Sequence, residues 1–166
     1  MLRSGRLFIY RLIAPWTPSR MFEFRARILR WCGAEVGTGT SISATTLFHG
    51  DGPLHIGSGT WIGFRSVIVS HKGGGVYIGD RVNAGQCLSI VDSTHDYGPE
   101  TRRAGRSRFH EVRIGDGCWI GMNVSVLPGV CVGNGCVLAA GSVVAKNIPP
   151  NVMAAGVPAV QKRILK

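Results

Sequence analysis

His95 is the residue whose type and setting are best suited to proton transfer. It lies in the segment Ser93-Thr94-His95-Asp96-Tyr97, and Asp92 and Asp96 stand on either side of it. A histidine with an ordinary pKa of about 6.5 is largely neutral at neutral pH, so it can accept a proton and then return it. Most histidines in loops are only solvated, and the two carboxylates are either orienting partners or loop charges. The pattern leaves both interpretations open.

Cysteine and serine chemistry has little support in the sequence. The five cysteines form no CxxC pair and no zinc signature, and no GxSxG nucleophile elbow is present. Cys118 and Cys136 stand 18 residues apart, and we interpret them as small side chains that fill corners at equivalent positions of a repeating structure. We therefore expect reduced cysteines without a catalytic role.

Aliphatic residues recur every six positions along most of the chain, often with a glycine directly after them. The recurring residues are Ile56, Ile62, Ile68; Ile78, Ala84, Ile90; and Ile114, Ile120, Val126, Val132, Leu138, Val144, and the same step is kept more weakly upstream by Val36, Ile42 and the aromatic Phe48. This period fits neither a helix nor a simple alternating strand, but it fits short strands that meet at turns. Three units would close a triangular coil of about 18 residues around a narrow aliphatic core, with neighbouring coils about 4.8 Å apart.

Extra residues interrupt this period in three places. Insertions of two, four and eighteen residues follow the first three coils, so all three fall at one corner of the predicted prism. The largest insertion could hold another coil, but its inward positions would be the charged residues Asp96, Arg102 and Arg108. Charged side chains do not fill a dry core. Residues 91–113 are therefore predicted to form a projecting loop that carries His95.

The N-terminal segment is strongly basic. The first 31 residues carry seven arginines against one glutamate, in a chain of net charge +10. The apolar run at 7–14 is much shorter than the roughly 20 residues that span a bilayer. Residues 21–31 predict a helix that ends at Gly33. We expect residues 1–32 to form a basic helical cap on the open coil, with contact to a membrane surface as the alternative. No nucleic-acid-binding motif is present, so nucleic acid is not an expected partner.

Further motifs follow in fixed order along the predicted coil. After the histidine segment come Ile114-Gly115-Asp116-Gly117-Cys118-Trp119-Ile120-Gly121, Ala139-Ala140-Gly141-Ser142 and Gly156-Val157-Pro158-Ala159. Together with the repeat they resemble the maltose, galactoside and colanic-acid acetyltransferases of the hexapeptide-repeat family, over roughly residues 33–166. The resemblance implies an all-β fold, a left-handed parallel β-helix of about five coils, with the N-terminal α-helical segment and the projecting loop. The coil would occupy residues 33–150, and residues 151–166 would form a C-terminal tail.

The resemblance also implies roles for individual residues. His95 would be the general base that takes the proton from an acceptor hydroxyl as its oxygen attacks the thioester of acetyl-CoA. The residues that would contact acetyl-CoA are Met122, Ala140, Ala145, Lys146, Val160 and Arg163. Several of these have small or neutral side chains, so their backbone groups would make the contacts, whereas Lys146 and Arg163 can meet the phosphates of CoA.

The acceptor side of the predicted site differs from the maltose-type pattern. The candidate acceptor-binding residues are Asp92, Tyr97 and Arg65. The stretch Gly63-Phe64-Arg65 occupies the place of the acceptor-binding asparagine in maltose-type enzymes. We therefore expect a sugar other than maltose, such as a nucleotide sugar or another saccharide.

The function that these observations favour is acetyl-CoA-dependent O-acetylation of a sugar hydroxyl in surface polysaccharide biosynthesis. Because no nucleophile elbow is present and Cys87 lies inside a regular repeat, we expect direct transfer within a ternary complex. The resemblance implies a homotrimer with its sites between subunits, and we expect a cytoplasmic location with membrane association as an addition. The alternatives are N-acetylation of an amino sugar, a carbonic-anhydrase-like metal protein and a non-catalytic β-helix. His49, His71 and His95 lie near the insertion corner, but no two histidines have the spacing of five that the carbonic-anhydrase pattern requires, so we expect no metal ion.

Overall fold

Short strands joined by tight turns wind around a three-sided prism in the computed structural model, which describes residues 4–166. Two helices precede the strands: α1 (Ser4–Ile13), followed by a 3-10 turn (Ala14–Trp16), and α2 (Phe22–Trp31). Helix α2 confirms the helix predicted before Gly33. The apolar run at 7–14 forms most of α1, a helix that the sequence pattern had not specified.

The coil strands form three parallel sheets, which we call the first, second and third faces of the prism. The first face contains β1 (Glu35–Val36), β4 (Leu54–Ile56), β7 (Val76–Ile78), β12 (Val112–Ile114) and β15 (Cys131–Val132). The second contains β2 (Ser41–Ile42), β5 (Trp61–Ile62), β8 (Asn83–Ala84), β13 (Trp119–Ile120), β16 (Val137–Leu138) and β18 (Val152–Gly156). The third contains β3 (Leu47–Gly50), β6 (Val67–Ser70), β9 (Ser89–Val91), β14 (Ser125–Val126) and β17 (Val143–Val144).

The predicted left-handed parallel β-helix is confirmed. Five coils are complete, and a partial sixth turn consists of β18 and a single bridge between Ile148 and Val132. We number the corners in chain order: the first corner joins the first and second faces, the second joins the second and third, and the third leads back to the first face of the next coil. Residues 151–166 extend the second face, because β18 pairs with β16 and then turns back as β19 (Ala159–Ile164).

The aliphatic residues six apart point into the prism, as the sequence predicted. Ile114 pairs in register with Ile78 on one side and Val132 on the other, so equivalent residues of successive coils stack in a column. All the predicted inward residues from Ile42 onward are at most 3% exposed, and Val36, in the first strand, is half-buried. This column is the hydrophobic core of the coil.

The glycine that follows many inward residues is required by close contact between coils. A Cβ atom on Gly121 would lie 2.5 Å from the backbone nitrogen of Ala140, and one on Gly133 would lie 2.5 Å from that of Pro150. Neither distance leaves space for a carbon atom. Glycine at these positions therefore lets the backbones of successive coils approach each other.

All three insertions leave the prism at the third corner, as predicted. The longest forms an antiparallel hairpin of β10 (Ser93–Tyr97) and β11 (Ala104–Phe109). The strands before and after it, β9 and β12, keep their places in the coil ladders. The projecting loop is thus an ordered hairpin attached to a rigid scaffold.

The two helices close the first coil. Helix α1 packs on β3, where the rings of Tyr10 and Phe48 lie 5.5 Å apart, and α2 packs on β1 and β2. Arg25, one of the seven N-terminal arginines, is fully buried. Its guanidinium donates to the carbonyl of Ile42 at 2.6 Å and to groups of the linker between the helices, Thr17 Oγ1, the Pro18 carbonyl and the Ser19 carbonyl. Arg25 therefore fastens the cap to the coil instead of contributing to a basic surface. Within residues 4–166, no helix has the length and apolar character to cross a bilayer.

We expect Leu138→Ala to lower the free energy of unfolding by about 2–5 kcal/mol, because it leaves a cavity in a fully buried column. Val137→Ala, one residue earlier on the partly exposed outer side, should cost less than about 1 kcal/mol. Chemical denaturation followed by circular dichroism at one protein concentration measures both losses. Equal losses would contradict the inward direction of Leu138.

Candidate active site

His95 lies on β10 of the hairpin and is exposed to solvent. Its Nδ1 atom is 3.0 Å from the carbonyl oxygen of Gly105 on β11. A carbonyl oxygen only accepts hydrogen bonds, so this contact assigns the proton of the neutral imidazole to Nδ1. The Nε2 atom then carries the lone pair. His95 is therefore arranged to accept a proton at Nε2.

An irregularity in the hairpin brings the Gly105 carbonyl to His95. His95 pairs with Ser107 and Tyr97 with Ala104, so β11 has one residue more than β10 in this stretch. A Cβ atom on Gly105 would lie 2.8 Å from the carbonyl oxygen of Asp96. Glycine is thus required at this position. Sequence reasoning did not identify Gly105, because its role depends on the pairing of the two strands.

The neighbours of His95 on the hairpin face solvent. The carboxylate of Asp96 accepts from Arg108 Nε at 2.9 and 3.0 Å, across the hairpin, and both side chains are about half exposed. Asp96 therefore pairs with an arginine and not with His95. The Tyr97 side chain is 97% exposed, so it is accessible to another molecule.

Asp92 lies at the root of the hairpin and is fully buried. One carboxylate oxygen accepts from the backbone N–H of His71 at 2.6 Å and of Gly75 at 2.9 Å, and the other is 2.7 Å from His71 Nδ1. The His71 ring in turn lies 5.2 Å from the ring of Phe109, the last residue of β11. Asp92 therefore supports the hairpin. It does not lie beside His95, and it is not in contact with solvent.

The other candidate residues divide between two corners. Met122 and Ala140 lie on consecutive turns of the second corner, where the Met122 carbonyl accepts from the Gly141 N–H at 2.9 Å, and Arg65 lies on an earlier turn of the same corner. Ala145 and Lys146 lie at the third corner, two turns beyond the hairpin. All five are exposed.

The C-terminal hairpin carries the last two candidates for acetyl-CoA contact. In β19, Val160 lies opposite Ala155 and Arg163 opposite Met153. Both side chains are exposed. Arg163 therefore adds a solvent-accessible positive charge to the second face, beyond the last complete coil.

A single chain does not gather these candidates around one ligand. The third face separates the second corner from the hairpin, and its four-residue strand β6 is about 13 Å long at the usual rise per residue. His95 and Lys146 lie on one side of this face, and Met122 and Arg65 on the other. The candidate residues therefore divide into two groups at different corners of the prism, and we call these groups the half-sites.

The histidines near the insertion corner have separate partners. His49 Nδ1 is 2.7 Å from Arg11 Nη1, while His71 binds Asp92 and His95 binds the Gly105 carbonyl. Burial, assisted by the Arg11 guanidinium, lowers the pKa of His49. Across the described part of the chain, residues 4–166, no three or more His, Cys, Asp or Glu side chains form a group that could hold a metal ion.

The five cysteines are unpaired thiols. Cys118 and Cys136 occupy successive turns of the first corner, are buried, and donate to the carbonyls of Gly133 at 3.1 Å and Pro149 at 3.0 Å. Burial raises the pKa of the Cys118 thiol to about 11. These two thiols fill corners of the repeat, as the sequence predicted.

Known proteins share this repeat and this architecture. Residues 111–146 match the family model described as bacterial transferase hexapeptide (six repeats). The acetyltransferase WcaF of Escherichia coli K12, which is assigned to colanic acid biosynthesis, is 30% identical over 148 residues, which cover 89% of this chain and 79% of WcaF. The chain belongs to the hexapeptide-repeat acetyltransferases.

Galactoside acetyltransferases are further relatives of this hexapeptide-repeat acetyltransferase. The galactoside O-acetyltransferase of Escherichia coli K12 is 35% identical over 136 residues, which cover 82% of this chain and 66% of the relative. A solved galactoside acetyltransferase in complex with coenzyme A superposes with a TM-score of 0.81 at 28% identity, covering 98% of this chain and 80% of that one. The chain spans about half to two thirds of the length of the galactoside O-acetyltransferases that it matches.

We expect Asp92→Ala to lower the free energy of unfolding by at least about 2 kcal/mol, because each buried donor left without an acceptor costs about 1–3 kcal/mol. Asp96→Ala, which removes an exposed ion pair from the same loop, should cost less than about 1 kcal/mol. Denaturation curves measure the two losses, and amide hydrogen exchange at His71 and Gly75 locates the first. A loss from Asp96→Ala as large as that from Asp92→Ala would refute the supporting role of Asp92.

We expect alkylation by iodoacetamide at about pH 8 to modify the exposed Cys131 before the buried Cys118. With a pKa of about 11, only about a thousandth of the Cys118 thiol is ionised at that pH, and the thiolate is the reactive form. Peptide mass mapping over time measures both rates, and unfolded protein, in which all five cysteines should react, is the control. Equal rates in the native protein would show that Cys118 is accessible and ionised.

Proposed function

We propose that this hexapeptide-repeat acetyltransferase transfers the acetyl group of acetyl-CoA to a sugar hydroxyl, with His95 as general base. The observation that carries the proposal is the hydrogen bond from His95 Nδ1 to the Gly105 carbonyl, which leaves Nε2 free to take a proton on an exposed hairpin. Family membership supplies the reaction class. The same contact would stabilise the imidazolium that forms during the reaction, because the Gly105 carbonyl accepts from Nδ1–H in both protonation states.

The reaction is a direct transfer between two bound substrates. Nε2 of His95 removes the hydroxyl proton as the acceptor oxygen forms a bond to the thioester carbonyl carbon. The carbon–sulfur bond then breaks, and the imidazolium returns the proton to the leaving CoA sulfur. No covalent enzyme intermediate is required, which agrees with a Cys118 thiol that is buried and protonated.

The exposed candidates fit the binding of acetyl-CoA. Small side chains at Ala140 and Ala145 leave backbone groups accessible to the pantetheine arm, and Met122 and Val160 offer apolar contact. Lys146 and Arg163 are exposed cations that can pair with the phosphates of CoA. The relative solved with coenzyme A supports the choice of ligand.

The two half-sites support a homotrimer with its active sites between subunits. The third corner of one protomer carries His95, Ala145 and Lys146, and the second corner carries Met122, Ala140 and Arg65. Threefold packing that brings the third corner of one chain against the second corner of the next would assemble both sets around one pair of substrates. Each site is incomplete without this neighbour.

The acceptor in this proposal is a sugar, nucleotide sugar or longer saccharide used in surface polysaccharide biosynthesis. The relatives named as galactoside O-acetyltransferases and as a colanic acid biosynthesis acetyltransferase favour a sugar, and the former favour a hydroxyl over an amino group. Arg65 and the accessible Tyr97 are the residues proposed to meet it. The unpaired thiols agree with a cytoplasmic location, to which we add contact with a membrane surface.

We expect His95→Ala to lower kcat by about 10²–10⁴-fold with little change in the KM for acetyl-CoA, because the general base is lost and the cofactor contacts remain. His110→Ala, which removes another exposed histidine of the same insertion, should keep activity close to that of the unmodified protein. Acceptor-dependent release of CoA, screened over nucleotide sugars and polysaccharide fragments, measures both.

Light scattering and circular dichroism should give the same assembly and fold for both variants. The proposed base would be wrong if His95→Ala were native by these two measures and kept full transfer. The proposed reaction would be wrong if the unmodified protein transferred acetyl groups to none of the acceptors.

A further inference from the structure

We propose that helix α1 and the turn after it bind an anionic membrane surface. Five large apolar side chains of this segment are exposed, and we call them the apolar face: Phe8 (57% exposed), Ile9 (40%), Leu12 (55%), Ile13 (41%) and Trp16 (89%). Water contacts most of the Trp16 indole and more than half of two further side chains. A cluster of this kind on one short segment is a feature of interaction surfaces.

The apolar face points away from the coil. At about 100° per helical residue, Phe8, Leu12 and Ile13 fall within one arc of about 140°. The opposite side of the helix carries Leu7 and Tyr10, which are at most 1% exposed, and the Tyr10 ring packs on Phe48 of the first coil. The scaffold therefore holds α1 by one side and presents the other side outward, so the helix can lie on a surface but cannot insert across one.

Arginines border the apolar face on both sides. On the helical projection, Arg6 lies next to Ile13 at one end of the arc, and Arg11 lies before Phe8 at the other end. Both are half-buried and held in place: Arg6 Nη1 donates to the Trp31 carbonyl at 2.8 Å, and Arg11 Nη1 is 2.7 Å from His49 Nδ1. Their positive charges therefore stay beside the apolar side chains, where a lipid phosphate would meet them.

The N-terminal segment that carries the apolar face has an excess of positive charge. The sequence of α1 contains no acidic residue, and Glu23 is the single acidic residue between positions 4 and 34. Glu23 is already paired with Arg30 at 2.8 Å and with Arg27 at 3.5 Å. Arg20 is exposed nearby in sequence. The segment therefore combines exposed apolar area with an excess of positive charge.

An anionic bilayer complements both properties at once. Aromatic and aliphatic side chains enter the boundary between headgroups and acyl chains, tryptophan favours this interface, and arginines bind lipid phosphates. A second copy of the same face would instead bring Arg6 and Arg11 close to the positive charges of an identical patch, because a twofold contact joins the same surface of both subunits. Charge complementarity thus favours a membrane over self-association.

Membrane binding would orient the whole protein. The helices cover the first coil, and the C-terminal hairpin lies beyond the last, so the first-coil end of the prism would face the lipid. If the proposed homotrimer forms, its threefold axis places three apolar faces at the same end. The presence of three apolar faces at one end depends on the proposed trimer, whereas membrane binding by a single α1 does not.

The test is sedimentation of the full chain with phosphatidylcholine vesicles, with and without phosphatidylglycerol, in the absence of acetyl-CoA and acceptor. We expect at least about tenfold stronger binding to the anionic vesicles, and weaker binding at high salt. Phe8→Ser/Leu12→Ser, and separately Trp16→Ser, should weaken binding by at least about tenfold. Ile164→Ser, which removes a 69% exposed side chain of the C-terminal hairpin, is the control and should bind like the unmodified chain.

Circular dichroism and light scattering of each variant identify effects on folding and assembly. Absence of binding, equal binding to neutral vesicles, or unchanged binding by both N-terminal variants would overturn the proposal. A change of oligomeric mass in these variants would also overturn it, because the apolar face would then be a subunit contact. Since no substrate is present, the result is independent of whether the proposed acetyl transfer is correct.

Discussion

Aliphatic side chains six residues apart form one continuous column inside the prism, and the rest of the structure depends on it. Each complete coil contributes three of them, and within the inner coils each is packed between equivalent residues of the two neighbouring coils, as Ile114 is between Ile78 and Val132. The backbones approach so closely that glycine is required beside the column, as at Gly121. Turns at the corners lie outside the column, so the protein can carry insertions there without disturbing its core.

The hairpin that carries His95 is one of these insertions, and two sets of contacts fix its position. At its root, buried Asp92 binds the previous insertion through His71 and Gly75, which fixes the hairpin to the coil. Further out, the irregular pairing presents the Gly105 carbonyl to His95 and so selects the tautomer of the imidazole. A rigid coil, a buried carboxylate and a backbone carbonyl together position one exposed basic nitrogen.

The inner side of the N-terminal cap packs on the coil, and its outer side faces solvent. Its inner side is fastened by packing and by the four hydrogen bonds of buried Arg25, so that the first coil is covered. Its outer side exposes Trp16 and the other residues of the apolar face. A helix held on one side cannot turn these side chains inward, so only contact with another surface would exclude water from them.

The sequence by itself determined the coil, its inward residues and the corner from which His95 projects, because a period of six and the size of each insertion are properties of neighbouring residues along the chain. The helix before Gly33 could be predicted for the same reason. Only the tertiary structure decided that Asp92 supports the hairpin, that Arg25 is internal and that the candidate site residues divide between two corners. These features depend on which groups meet from different coils, strands or helices, and the pairing of distant groups leaves no local pattern in the sequence.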